Sequence, residues 1–205
     1  MEIREQSSVD VIKSSGRVVL VGGEQLDANL VINASGPWVS QLLARSNIRS
    51  DYQLEYNRGV HLVVDRPCER AAVLQQPDGR IVFALPLKGQ TLFGTTEQAL
   101  IGVDDQRSEK AEVEYLTQAF NRVFSEALKP SEIVDTTSGI RPIVKAASSG
   151  QLSAASREAV LEHRDHLINV FGGKWTSAPA LADDVADLAD RVVVSESSGL
   201  IPRST

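Results

Sequence analysis

Cysteine is nearly missing from this chain: Cys68 is the single one in 205 residues. No intrachain disulfide and no cysteine-built metal cluster can form from one thiol, so a reducing, cytoplasmic setting is expected. Positive charge is also in short supply. The formal net charge of -6 excludes a broad contact with a phosphate backbone, so no nucleic-acid partner is expected and any bound anion must be small and met locally. Long apolar runs are absent as well. Val18 to Val21 falls far short of the ~20 residues that span a bilayer. The opening MEIREQSSVD has charges where a signal peptide would carry its apolar core. Membrane contact is therefore expected to be at most peripheral, at the inner face of the cytoplasmic membrane. Aromatics make up only 5% against 42% hydrophobic residues overall, which leaves an aliphatic core as the basis of folding.

What is present reads as a mixed α/β chain. Val9 to Ile12 and Arg17 to Val21 are β-branched runs around Lys13-Ser14-Ser15-Gly16, a hairpin pattern, and Gly22-Gly23 marks the next turn. A third strand, Leu30 to Ile32, leads through a glycine turn to Pro37 and a helix along Val39, Leu42 and Leu43. From Tyr52 to Glu97, strand-like runs alternate with Gly and Pro punctuation, which predicts a mainly antiparallel sheet. Ser108 to Leu128 has helical spacing at Val113, Leu116, Phe120, Val123 and Ala127, and Ile133-Val134 opens another strand. A last helix is expected after Ser177, with Leu181, Val185, Leu188 and Val192 on one face.

Four segments carry the chemistry: NASGPW (Asn33 to Trp38), RGVHLVV (Arg58 to Val64), SGIRP (Ser138 to Pro142) and VFGGKWTS (Val170 to Ser177). A glycine turn between a strand and a helix presents backbone N–H groups to an anion, and Gly172-Gly173 ahead of Lys174 has that form. Each segment has a plainer reading when taken alone. Glycines serve ordinary turns, arginines before proline sit on surface strands, a histidine in an apolar strand is commonly structural, and Trp38 and Trp175 are natural packing residues.

In this order the four segments resemble the FAD-dependent glycerol-3-phosphate dehydrogenases of the amino-acid-oxidase-like superfamily, from about Val9 to Arg191. The resemblance implies a cofactor contact from Gly36, Pro37 and Trp38, and a second one from Gly172, Gly173, Lys174, Trp175 and Thr176. It places Arg58, Gly59 and His61 beside the substrate and Arg141 between substrate and flavin. It also gives Arg157, in the context Ser156-Arg157-Glu158, to the substrate phosphate. Oxidising a secondary alcohol needs a proton acceptor and cations for the phosphate dianion. His61 is a candidate base, with Arg141 or a residue outside the chain left as alternatives.

The same family opens its flavin domain with Gly-x-Gly-x-x-Gly, a motif not found ahead of Val9. The expected architecture is a partial FAD/NAD(P)-binding domain remnant (1–50 and 165–195), an antiparallel-sheet substrate-binding domain (51–164) and a flexible tail (196–205). FAD is implied for the complete enzyme and is not expected on this chain alone. The implied reaction is hydride transfer from C2 of glycerol 3-phosphate to FAD, giving dihydroxyacetone phosphate. This chain is read as the substrate-binding portion and as inactive by itself, which leaves its standing as an enzyme open. An open strand edge would favour a homo-oligomer or pairing with a separate amino-terminal half. Two other readings stay in view: a related FAD-dependent amine or 2-hydroxy-acid oxidase fragment, and a non-catalytic remnant module.

Overall fold

The computed structural model describes residues 2–13, 15–104, 108–146 and 158–197. The chain falls into two compact units, Met1–Glu55 with Pro142–Thr205, and Tyr56–Arg141. In chain order the strands begin with β1 (Val9–Ile12), β2 (Arg17–Leu20), β3 (Gln25–Asp27) and β4 (Val31–Asn33), followed by helix α1 (Val39–Arg45). Then come β5 (Tyr52–Val64), β6 (Ala72–Gln75), β7 (Ile81–Leu87), β8 (Gln90–Gly94), β9 (Gln98–Leu100) and α2 (Lys110–Val123). The chain continues through β10 (Ile133–Ala146), β11 (Val160–Arg164), β12 (Leu167–Phe171) and α3 (Ala178–Ser197).

The first unit holds two small sheets. One is the antiparallel meander β1-β2-β3, which turns at Gly22 and Gly23 with φ of 109° and 91°, values that glycine adopts without strain. The other has the order β11-β12-β4, and its β12 and β4 run parallel, with Ile168 opposite Ile32 and Asn169 opposite Asn33. Helix α1 buries Val39, Leu42 and Leu43, the i, i+3, i+4 face, into a cluster with Ile12, Val144, Leu167 and Phe171.

The second unit is built on the larger sheet, of order β10-β5-β8-β7-β6, with β9 also paired to β5. Helix α2 presents Leu116, Ala119 and Phe120 to Val60, Leu62, Val64, Val82 and Phe93 of that sheet. Phe120 meets Phe93 edge-on at 5.1 Å and stacks on Phe124 at 4.1 Å. Three of the five phenylalanines are thus concentrated where one helix must be held to one sheet.

Four boundaries differ from the sequence reading. Strand β11 was placed in the substrate domain ending at 164, yet it is the antiparallel partner of β12, with Glu162 opposite Asn169, so it lies in the first unit. The helix expected over 108–128 stops at Val123, because Phe124 turns to an extended backbone (φ -96°, ψ 139°) and folds back onto Phe120. Strand β10 runs on through SGIRP to Ala146, well past the Ile133-Val134 start. Part of the expected tail is helical, since α3 continues to Ser197.

Candidate functional site

In the second unit, His61 and Arg141 come from neighbouring strands, β5 and β10. The guanidinium of Arg141 donates from Nη2 to Oγ1 of Thr95 at 2.8 Å and from Nη1 to the carbonyl of Thr96 at 3.4 Å. Two glycines make the room. A Cβ at Gly59 would overlap both terminal nitrogens of Arg141, and one at Gly94 would lie 2.6 Å from Cδ2 of His61 and 2.7 Å from the carbonyl of Val60. The pairing is irregular here as well. His61 lies opposite Gly94 and Arg58 opposite Gln98, so Gly59 and Val60 face three residues, Thr95, Thr96 and Glu97. This is a β-bulge, a device that re-aims side chains and that recurs beside functional sites.

Burial and, after it, the positive charge of Arg141 hold the imidazole of His61 below its ordinary pKa of 6.5. At neutral pH His61 is uncharged and so able to accept a proton, while Arg141 beside it stays cationic. A neutral base next to a fixed cation suits removal of a hydroxyl proton from an anionic alcohol.

Arg58, although adjacent in sequence, is enclosed. It is fully buried and ion-paired through Nη2 to Glu112 at 2.7 Å and to Glu109 at 2.8 Å. Burial disfavours its charge, but the hydrogen bonds to the two carboxylates outweigh that and raise its pKa.

In the first unit the parallel strands β4 and β12 each end in a glycine turn, a short 3-10 turn and a helix. Gly36 has φ 58°, and Gly172 and Gly173 have φ 69° and 96°. Buried amides tie the two strand ends together: Asn33 Nδ2 donates to Asn169 Oδ1 at 3.0 Å, and Ser35 Oγ donates to Asn33 Oδ1 at 2.6 Å. Asn169 in turn donates to Glu162 at 3.2 Å, which also accepts from the backbone N–H of Asp51 at 2.8 Å. Beyond the second turn Lys174 is exposed and Trp175 is 94% exposed, while Ile32 and Trp38 border an open apolar groove of about 480 Å³.

Glu162 gives this unit an acid-sensitive element. Burial would raise its pKa, but the bonds from Asp51, Ser50, Arg164 and Asn169 prevail and lower it below 4.5. A carboxylate depressed by folding stabilises fully above its unfolded value, and the stabilisation is lost as pH falls through the folded one. The variant E162Q is expected to start with a lower Tm and to lose less of it on acidification than the parent chain. Parallel thermal melts at neutral pH and below pH 4.5 check this, and an equal loss in both proteins would refute it.

Turns at the carboxyl ends of adjacent parallel strands are where open α/β sheets receive nucleotide cofactors. A family model described as FAD dependent oxidoreductase matches residues 1–188, and the chain belongs to that family. It is 29% identical over 166 residues to the aerobic glycerol-3-phosphate dehydrogenase of Bacillus subtilis (strain 168), a match covering 78% of this chain and 30% of that protein. Among solved structures it is similar to the glycerol-3-phosphate dehydrogenase from Bacillus halodurans complexed with FAD, with TM-score 0.75, 27% identity and coverage of 93% and 37%. It is also similar to glycine oxidase from Geobacillus kaustophilus, with TM-score 0.64, 25% identity and coverage of 92% and 49%. The chain spans about a third of the length of the curated relatives it matches. The mixed α/β architecture with antiparallel sheets is that of the FAD-dependent dehydrogenase.

Of the residues expected at the site, His61 and Arg141 are brought together, with Gly59 beneath the arginine. Gly36, Pro37 and Trp38, and Gly172, Gly173, Lys174, Trp175 and Thr176, occupy the two turns of the other unit. Arg157 lies outside the described residues. Gly94, Thr95 and Thr96 were not singled out from sequence. Their signal is the polar Thr95-Thr96-Glu97 that separates β8 from β9. Among the described residues no group of acidic, histidine or cysteine side chains is placed to hold a metal, and no helix is long and apolar enough to cross a membrane.

Proposed function

We propose that this chain is the substrate-binding portion of a flavin-dependent glycerol-3-phosphate dehydrogenase. The observation that carries the reading is His61, neutral and half-buried, held beside the cation of Arg141 by a bulged strand pair. The two glycine turns with Lys174 fit a flavin, since the positive-φ backbone lets the chain pass close to a flat ring and a lysine offsets negative charge on it. When bound, FAD supplies the acceptor for the hydride that leaves C2.

The residues of the chain do the rest. A ring nitrogen of His61 takes the hydroxyl proton as the C2–H bond breaks, so hydride and proton leave together and the carbinol becomes a ketone. Arg141 donates hydrogen bonds to the oxygen on which negative charge grows. Arg157 is assigned to the phosphate and Lys174 to the flavin side. The match covers 30% of the Bacillus subtilis relative, and we assign turnover to a complex that also contains a dinucleotide-binding portion.

Glycerol 3-phosphate should perturb the NMR signals of His61 and of the Arg141 side chain in this chain, and R141Q should abolish the perturbation. The similarity to a glycine oxidase makes glycine and small 2-hydroxy acids the informative competitors. If they act on His61 and glycerol 3-phosphate does not, the substrate is a carboxylate and the phosphate reading fails. Inertness of both signals toward all of them would leave a non-catalytic module.

A further inference from the structure

Behind Arg141 lies a chain of buried polar contacts that an oxidation does not by itself require. Oε1 of Glu112 accepts from Oγ1 of Thr96 at 2.7 Å, and its Oε2 accepts from Arg58 at 2.7 Å and from the backbone N–H of Glu109 at 3.0 Å. Thr96 is gripped on its other side by β5. Its Oγ1 accepts from the N–H of Val60 at 2.9 Å, and its own N–H donates to the carbonyl of Val60 at 3.2 Å. The carbonyl of Thr96 and the hydroxyl of Thr95 both accept hydrogen bonds from the guanidinium of Arg141.

We propose that Glu112, held in place by Arg58, is a positioning residue that fixes the Thr95-Thr96 bulge and thereby sets the Arg141 guanidinium beside His61. The assignment rests on the reading of His61 and Arg141 as the substrate-facing pair. A plainer role, capping α2, explains one contact only. The N3 carboxylate of such a capping box ordinarily sits at a wet helix end, whereas Glu112 is 8% exposed and faces a fully buried arginine. A buried ion pair is a poor way to gain stability, because desolvation of both charges offsets their attraction. What it supplies is direction: two carboxylate oxygens with three donors around them leave the bulge a single arrangement. A bulge left to itself has an unpaired residue free to shift, and Arg141, β5 and Glu112 tie Thr95 and Thr96 to the elements around them.

The test reads His61 and requires no substrate. The parent chain has three histidines, and the midpoint of His61 is followed by NMR of its Cε1–H across the pH range. R141Q should raise that midpoint, because a neighbouring cation has been removed, and its shift sets the scale. T96V keeps the shape of the side chain but cuts both the Glu112 contact and the acceptor for Val60, and should reproduce most of the R141Q shift. T96S should keep the parental midpoint. E112A removes one of the two carboxylates that pair with Arg58 and is a poor test if it unfolds. The pair R58M/E112L is apolar at both positions, removes the carboxylate without stranding a charge, and should also raise the midpoint. A parental midpoint in folded T96V or in folded R58M/E112L would overturn the proposal, and so would an R141Q variant in which His61 does not move. If the titrations behave as expected while glycerol 3-phosphate fails to bind, the substrate reading falls and the positioning role stands.

Discussion

Replacing Arg58 with alanine is expected to lower the stability of the folded chain by about 3–5 kcal/mol, the usual penalty for stranding one partner of a buried ion pair. Arg58 is the largest fully buried side chain among the described residues, and its removal leaves Glu112 with a carboxylate inside the protein and a cavity alongside. Glu109 is mostly exposed and rehydrates at little cost, so the effect is expected to come from Glu112. The loss is comparable to the whole stability of many domains, which is about 5–15 kcal/mol. Urea titration should show the midpoint falling with an unchanged m-value. R58M/E112L should regain much of that loss, since an apolar pair of similar volume is often as stable as the ion pair it replaces. If R58A melts like the parent, the buried pair is not holding α2 to the sheet.

Replacing Gly59 with alanine is expected to do the opposite, sparing the fold and disabling the site. The overlap of the new Cβ falls on the terminal nitrogens of Arg141 and on the hydroxyl of Thr95, the mobile ends of side chains, and Gly59 has no positive φ to lose. Alanine is also easier than glycine to order in a strand. The urea midpoint should therefore stay close to that of the parent. Arg141 must swing away, so His61 should titrate nearer its ordinary value of 6.5. Loss of a charge-assisted hydrogen bond worth about 1.5–3 kcal/mol implies glycerol 3-phosphate binding weaker by roughly 10- to 100-fold. The comparison with G94A is informative, because there the Cβ meets the carbonyl of Val60 and the imidazole ring. Backbone cannot rotate aside, so G94A should unfold earlier in urea. An unchanged His61 midpoint in G59A would mean that Arg141 does not rest on that glycine.

Both expectations rest on features that differ in how far sequence could reach them. The glycine turns, the helices α1 and α3 and the run of antiparallel strands were legible, because Gly, Pro and apolar spacing act over a few residues. His61 and Arg141 were legible as candidates through the segments that contain them. The bulge at Thr95 to Glu97 was not, since two residues facing three is a property of a strand pair and not of either strand. Arg58 shows the same limit. Its place next to Gly59 and His61 suggested a group facing substrate, while strand alternation and the acids at the start of α2, some fifty residues away, direct it inward. The place of β11 was missed for a related reason: its partner β12 was read only as the lead-in to a glycine turn.

The paired amides of Asn33 and Asn169 have a mechanical consequence. A strand that reads as a near-continuous aliphatic run, as β12 does, carries little alternation of its own to mark its register. A slip of β4 along β12 by a single residue would put Ile32 or Ala34 opposite Asn169 and leave the amide nitrogen of Asn33 and the amide oxygen of Asn169 without each other in the interior. Each orphaned amide costs about 1–3 kcal/mol, a penalty that the aliphatic neighbours do not impose. The amides act as a key in a keyway. They allow one alignment of the strands, and with it one relative height for the turns at Gly36 and Gly172, so two loops 136 residues apart in the chain are cut to the same length.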